Sequence, residues 1–151
     1  KRADRSANEG IVIAKTSADG SKSVILEVNC ETDFVARNEE FQAFAREVAM
    51  QIAASNPTYV SKEEIPEAEL EREKEVMKAQ VLESGKPAEI AEKIVEGKIE
   101  KYYEEVCLLN QTYIRDTKLK IDDLLQALIA KIGENIKVRR FTRFQLGEPL
   151  D

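Results

Sequence analysis

The side chains best suited to covalent chemistry are few and scattered in this sequence. Its 151 residues include no histidine, the side chain that most often serves as a general base or metal ligand. Asp122 and Asp123 are adjacent, but neighbouring residues of a helix point about 100° apart and do not readily share a metal ion. We interpret them as first-turn residues beside a helix N-terminus, where carboxylates favour the helix dipole. Because no glycine-rich phosphate loop occurs either, the sequence argues against an enzyme.

Two cysteines, Cys30 and Cys107, are too few and too far apart in sequence for a disulfide framework or a zinc cluster. Both are flanked by apolar residues, among them Val28 and Leu108. We therefore predict that both are small buried hydrophobic residues, as is typical of proteins in a reducing compartment.

The segment best suited to binding consists of Thr32, Asp33, Phe34 and Val35. It follows a predicted strand and precedes a predicted helix cap at Asn38. An aromatic side chain that projects from a well-supported corner is typical of a binding anchor. The alternative is that Phe34 folds back onto the core, and the residues alone leave both interpretations open.

Hydrophobic patterning predicts the elements that must position this segment. Residues 11–14 and 24–30 have the pattern of two strands, and the polar loop 17–21 between them contains Asp19-Gly20, a hairpin signal. Alternation in the second strand places four apolar side chains on one face: Val24, Leu26, Val28 and Cys30. A third strand is predicted over residues 136–146, with Val138, Phe141 and Phe144 buried.

Apolar residues at helical spacing predict four helices. They cover residues 39–55 after the Asn38 cap, about 67–83, 87–106 and 121–132, with Gly133 as the left-handed C-terminal residue. Residues 61–64 have capping-box spacing, and Pro66 suits a first helical position. The predicted fold is α+β: a small antiparallel sheet, formed by the hairpin and the C-terminal strand, packed with helices. Residues 1–151 form one core domain, from which residues 67–106 protrude as an antiparallel helical hairpin.

Charge is distributed unevenly along the chain. The net charge is −6, and residues 62–105, with eight Lys or Arg and fourteen Glu, account for all of it. An acidic protein is a poor general binder of nucleic acid, and no apolar run approaches the roughly 20 residues that span a bilayer. A local basic stretch, residues 131–143, has five Lys or Arg and one Glu. It is either a solvated strand face or a docking edge for an acidic protein partner.

Three blocks of this sequence resemble the elongation factor Ts family. They are residues 27–41, which include segment 32–35, residues 84–98 and residues 130–140; residues 109–114 match more loosely. The similarity runs from about residue 9 to residue 148, in family order. Members usually begin with a small helical ubiquitin-associated-like module, which this sequence does not contain, and long members carry two related core halves. This chain is similar to the short, single-core form.

The resemblance implies a guanine-nucleotide exchange factor for elongation factor Tu in translation elongation, without covalent chemistry. It implies that Thr32, Asp33, Phe34 and Val35 bind the partner and dislocate its Mg²⁺, with Arg37 and Asn38 as neighbours. This chain would then need no cofactor, because the partner binds GDP, GTP and Mg²⁺. The short form pairs into dimers, which implies a homodimer through the sheet, with the helical hairpin as the second choice of surface. The implied location is the bacterial cytoplasm, or the matrix or stroma of an organelle.

Three rival interpretations remain at the level of sequence. The first is a dimeric helical scaffold or interaction domain without exchange activity. The second is an enzyme with an unrecognised carboxylate site. The third is RNA binding through Lys137, Arg139, Arg140 and Arg143, which the total charge disfavours.

Overall fold

A three-stranded antiparallel sheet lies at the centre of the computed structural model, which describes residues 2–150. Strands β1 (Glu9–Thr16) and β2 (Lys22–Cys30) form the predicted hairpin, and β3 (Lys137–Gln145) pairs antiparallel with the other edge of β2. The pairing of the C-terminal strand with the hairpin is therefore confirmed. As predicted, the side chains of Val24, Leu26, Val28 and Cys30 are fully buried on one face.

The turn between β1 and β2 is organised by one carboxylate. Asp19 accepts hydrogen bonds from the Ser21 amide (3.0 Å), the Ser21 hydroxyl (2.7 Å) and the Ser17 hydroxyl (2.8 Å). These bonds stabilise the charged form, the backbone bond from Ser21 most of all, and lower the pKa of Asp19 to about 2. Gly20 has a φ of 75°, the left-handed region that glycine adopts without strain.

Five α-helices accompany the sheet: α1 (Asp33–Ala36), α2 (Glu39–Ser55), α3 (Glu67–Glu83), α4 (Ala88–Val106) and α5 (Ile121–Ile132). Helix α2 covers the inner face of the sheet, and α5 packs beside α2. The predicted Asn38 cap is confirmed, since its Oδ1 accepts from the amides of Glu40 (2.8 Å) and Phe41 (3.1 Å). Gly133 ends α5 with a φ of 84°, also as predicted. The architecture is thus the predicted α+β fold.

Helices α3 and α4 pair in an antiparallel arrangement joined by a four-residue connection. Near the tip, the Lys78 ammonium lies 3.6 Å from the Glu92 carboxylate. Near the base, the Tyr102 hydroxyl donates to Glu69 over 3.1 Å. Helix α4 continues through Gly97 without interruption. Within the described residues, no helix combines the length and the apolar character that crossing a bilayer requires.

The prediction that Phe144 is buried is wrong, because its side chain is 69% exposed. Alternate residues of a strand face opposite sides, so Phe141 and Phe144, three positions apart, cannot share a face in a regular strand. Val138 and Phe141 both face inward because β3 contains a bulge opposite Glu27 and Val28, which inserts one extra residue between them. Phe144 is therefore directed to the outer face.

Two local predictions also need correction. Ser61 makes no side-chain cap bond, and Glu64 instead accepts from the amide of Val60 over 2.7 Å, so residues 61–64 form no capping box. Helix α3 begins at Glu67 as predicted, with Pro66 as its N-cap rather than its first residue. Helix α4 begins at Ala88, one residue later than predicted. The short helix α1 was not predicted, because four residues are too few to show a hydrophobic period.

Candidate partner-binding site

Segment 32–35 forms a tight corner between β2 and α2. Strand β2 ends at Cys30, and Thr32 adopts an extended backbone conformation and caps α1. The Thr32 hydroxyl accepts a hydrogen bond from the amide of Val35 over 3.3 Å. A side-chain cap of this kind satisfies one of the free amides at a helix start. The chain therefore passes from strand to helix within a few residues, and Phe34 is the second residue of α1.

Phe34 projects into solvent at this corner. Its side chain is 78% exposed, so the structure supports the projecting interpretation and contradicts folding back onto the core. The Arg37 guanidinium lies 5.8 Å from the centre of the Phe34 ring, within the range of a cation–π contact. The same guanidinium is 3.2 Å from the Asp33 carboxylate. Asp33, Phe34 and Arg37 thus form one exposed cluster with an acidic, an aromatic and a basic member.

The remaining predicted site residues hold this cluster in place from its buried side. Val35 is partly buried against the hydrophobic core, and Ala36 is buried within it. Asn38 caps α2, as described above. The structure therefore divides the predicted residues into an exposed group and a supporting group that consists of Thr32, Val35 and Asn38.

Glu134, which sequence reasoning did not single out as a site residue, contacts this corner. Its carboxylate accepts from the amides of Glu31 (3.0 Å) and Thr32 (3.2 Å) and from the Thr32 hydroxyl (2.8 Å). The predicted topology contained a usable signal. Because β3 runs antiparallel to β2, the residues that precede β3 must lie beside the end of β2, and Glu134 is the charged residue there.

Most cations of the basic stretch 131–143 are engaged within the chain. Arg139 and Arg140 lie 3.3 and 2.7 Å from the same Glu27 oxygen, and the bulge allows both to reach it. Hydrogen bonds from Asn29 and then from Arg140 lower the pKa of Glu27. Arg143 donates to the carbonyl oxygen of Ala53 over 2.9 Å. These contacts favour the interpretation of this stretch as a structural strand face.

The groups considered for covalent chemistry are two buried thiols and two carboxylates at the start of α5. Cys30 and Cys107 are buried as predicted, and desolvation raises the pKa of each thiol to about 11. Asp122 and Asp123 lie in the first turn of α5, as predicted. In the part of the chain that the structure describes, no three Cys, Asp or Glu side chains are grouped so that they could hold a metal ion.

Comparison with known proteins connects this fold to one family. The family model described as elongation factor TS matches residues 42–148. That match begins after segment 32–35, but the alignments with individual relatives include the segment. The protein named elongation factor Ts from Caldanaerobacter subterraneus subsp. tengcongensis is 55% identical over 151 residues, which are 100% of this chain and 76% of the relative.

Two further relatives carry the same name. The protein from Thermoanaerobacter sp. (strain X514) is 54% identical over 151 residues, which are 100% of this chain and 74% of the relative. The one from Carboxydothermus hydrogenoformans is 53% identical over 150 residues, which are 99% of this chain and 69% of the relative. Since the family model matches most of the chain and these relatives align along nearly all of it, the chain belongs to the elongation factor Ts family.

Proposed function

We propose that this chain promotes GDP release from elongation factor Tu by inserting Phe34 beside the Mg²⁺ and phosphate site of that GTPase. Membership of the family carries the coarser part of this statement: nucleotide exchange on elongation factor Tu during translation elongation, a role without covalent chemistry. The finer part concerns Thr32, Asp33, Phe34 and Val35, with Arg37 and Asn38 as neighbours. In this proposal the partner binds GDP, GTP and Mg²⁺, and this chain needs no cofactor.

The observation that carries the proposal is the exposure of Phe34 on a firmly held corner. Because hydrogen bonds already hold the backbone of this corner, binding costs little backbone conformational entropy there. Transfer of its apolar surface from water into a pocket contributes about 1.5–3 kcal/mol. Phe34 therefore has the properties of an anchor residue.

Asp33 supplies the polar part of the proposed wedge. Its only ion pair in the described chain is with Arg37, and both side chains are more than half exposed. An exposed pair of this kind contributes less than about 1 kcal/mol, so Asp33 can exchange Arg37 for a polar group of the partner at little cost. We propose that Asp33 in this way shifts polar contacts that support the Mg²⁺ site.

Thermodynamic linkage explains how binding becomes exchange. If the factor binds the nucleotide-free GTPase more tightly than the GDP-bound form, it must weaken GDP binding by the same ratio. Mg²⁺ bridges the nucleotide phosphates and the oxygens of the GTPase, so loss of its support is an efficient way to lower nucleotide affinity.

The decisive experiment measures release of a fluorescent GDP from elongation factor Tu with and without this chain. We expect acceleration by the chain and a loss of about 2 kcal/mol or more of binding in Phe34→Ala, the usual size for an anchor. Leu146→Ala is the matched control, because Leu146 is 81% exposed and lies outside the corner. If folded Phe34→Ala accelerates release as the parent chain does, the wedge assignment is wrong. A folded parent chain that leaves release unchanged would instead favour the dimeric scaffold.

We also propose that two copies of the chain pair through the outer face of the sheet. Three apolar side chains, Val12, Ile25 and Phe144, are exposed on this face, one from each strand. Neighbouring exposed apolar side chains on a sheet mark an interaction surface more often than isolated ones do. This observation favours the sheet over the helical hairpin as the dimer surface.

A further inference from the structure

Glu134, in the loop between α5 and β3, binds the corner that carries Phe34. One carboxylate oxygen accepts from two consecutive amides, those of Glu31 (3.0 Å) and Thr32 (3.2 Å). The other oxygen accepts from the Thr32 hydroxyl at 2.8 Å. Hydrogen bonds to an ionised carboxylate are stronger than bonds between neutral groups. Three such bonds from a single residue therefore restrain the backbone where the corner begins.

The position of Glu134 is itself well determined. Gly133 ends α5 in the left-handed conformation, and its amide donates to the carbonyl of Ile129 over 2.8 Å. On the other side, Asn135 and Ile136 are buried. Glu134 thus lies between a fixed helix end and a buried strand start, so its carboxylate offers the corner a rigid attachment.

A second contact runs in the opposite direction between the same two loops. The Glu31 carboxylate accepts from the amide of Asn135 over 2.6 Å and lies 3.6 Å from the Arg5 guanidinium. Each loop therefore supplies a carboxylate that binds backbone amides of the other. This reciprocal arrangement fixes the distance and the orientation between them.

Thr32 transmits this restraint to α1. Its hydroxyl proton is directed to Glu134, which leaves a lone pair for the amide of Val35, 3.3 Å away. A four-residue helix is too short to be stable by itself, so α1 depends on such contacts. Because the Phe34 side chain is largely in solvent, it contributes little to its own positioning.

We infer that Glu134 is a positioning residue for nucleotide exchange, which acts by holding Thr32 and thereby α1 in the orientation that presents Phe34 and Asp33. This inference rests on the proposed function of the corner. Glu134 does not itself touch the nucleotide or the metal ion in this assignment. Its loss leaves the anchor residues present but no longer prearranged, so binding must first order them.

The first test measures fluorescent GDP release from elongation factor Tu at concentrations of the full chain below saturation, where the release rate depends on how tightly the chain binds. Glu134→Ala should lower the acceleration about tenfold, since charge-assisted bonds contribute at least the ~1.4 kcal/mol that a tenfold change represents. Glu134→Gln keeps an acceptor for the two amides but removes the charge, so it should lower the acceleration about threefold, a smaller loss than in Glu134→Ala. It also replaces Glu134→Ala if that variant fails to fold. A Glu134→Gln variant as slow as Phe34→Ala, or either Glu134 variant as fast as the parent, would overturn the inference.

The second test is a double-mutant cycle with Phe34→Ala. If Glu134 acts through the corner, the two losses are not additive, and adding Glu134→Ala to Phe34→Ala should slow release by no more than about threefold. A full tenfold further loss would mean that Glu134 acts elsewhere. The cycle also separates the two proposals. If the single variant Phe34→Ala releases GDP as fast as the parent, the wedge itself is wrong. If Phe34→Ala slows release but Glu134→Ala does not, the wedge stands and the positioning role is wrong.

The third measurement separates local positioning from general stability. Hydrogen exchange in Glu134→Ala should accelerate at the amides of Glu31, Thr32 and Val35, while the core amides of α2 remain protected. Glu47→Ala is the matched control, because Glu47 also links distant segments by accepting from Tyr113 and pairing with Arg115. That control should leave exchange at the corner amides and GDP release unchanged. Acceleration throughout the chain in Glu134→Ala would contradict a positioning role.

Discussion

At the scale of single residues, Asp33 and Phe34 are adjacent and exposed but differ in what they can contribute. Phe34 offers apolar surface, whose burial stabilises any complex that provides a pocket. Asp33 offers a charge, whose value depends on the polar groups that it meets. In a wedge that combines both, the aromatic residue can act mainly on affinity and the charged residue mainly on the rate of exchange. Substitutions at the two positions should therefore have different kinetic consequences.

We predict that Asp33→Ala slows the maximal rate of GDP release about tenfold, or ~1.4 kcal/mol, while it weakens binding less than Phe34→Ala does. The reason is that, in the proposed wedge, the charge acts on contacts of the Mg²⁺ site rather than on the apolar pocket. Titration of the release rate against factor concentration gives both quantities. Asp33→Asn, which keeps the shape and removes the charge, should behave like Asp33→Ala. Equal losses of rate and affinity would argue against a specific role at the Mg²⁺ site.

At the scale of elements, the helical hairpin α3–α4 is attached to the core through the Glu69 carboxylate. It accepts from the Tyr59 hydroxyl (2.6 Å), which lies between α2 and α3, and from the Tyr102 hydroxyl (3.1 Å) on α4. Three separate parts of the chain thus meet at one acceptor. Through this contact Tyr102 joins α4 to α3.

These bonds predict a pH dependence of the attachment. The hydrogen bond to Glu69 raises the pKa of Tyr59 to about 12, and burial followed by the same carboxylate raises that of Tyr102 to about 12. Both hydroxyls keep their protons to a higher pH in the folded chain than in the unfolded chain, where the pKa is near 10.0. The stabilisation is therefore complete below about pH 10 and is lost as the pH rises towards 12.

Alkaline unfolding curves check this prediction. The free energy of unfolding should fall between pH 10 and 12, and less steeply in Tyr59→Phe and Tyr102→Phe. Tyr113→Phe is a useful comparison, because the pKa of Tyr113 is also raised to about 12 but its acceptor is Glu47 on α2. Hydrogen exchange at the hairpin base should respond to the first two substitutions and not to the third. If Tyr59→Phe and Tyr102→Phe both unfold with the same pH dependence as the parent chain, Glu69 does not attach the hairpin in this way.

At the scale of the whole molecule, the sheet has one covered and one open face. Helix α2 covers the inner face, whereas the outer face presents apolar side chains from all three strands. A single layer of helices on a sheet leaves the other face for water or for a partner. The outer face is therefore where the fold has room for a second copy.

We predict that Phe144→Glu disrupts the proposed dimer and leaves a monomer, because two copies would then bring buried like charges together. Sedimentation or light scattering over a range of concentrations measures the effect. Ile90→Glu introduces the same charge at an exposed position of α4, away from the sheet, and should leave the dimer intact. A parent chain that is monomeric at all concentrations would exclude the sheet as a dimer surface.

Local patterns were sufficient for most of the elements and for the residues of the corner. Alternation over residues 24–30 predicted the buried face of β2, and the spacing of apolar residues predicted α2 and α5, because these periods report which side of an element is buried. Resemblance to a family supplied the expected partner-binding role of segment 32–35, and that role stays a proposal. Chemical type alone did not determine whether Phe34 was buried or exposed.

Tertiary structure decided the features that depend on contacts between distant segments. The outward direction of Phe144 follows from a bulge that only pairing with β2 reveals, and the attachment of Thr32 to Glu134 spans 102 residues of sequence. Periodicity in a sequence reports burial within one element, whereas such contacts arise when strand pairing brings loops together. The sequence by itself therefore determined the elements and the family, and the fold decided how the corner is held.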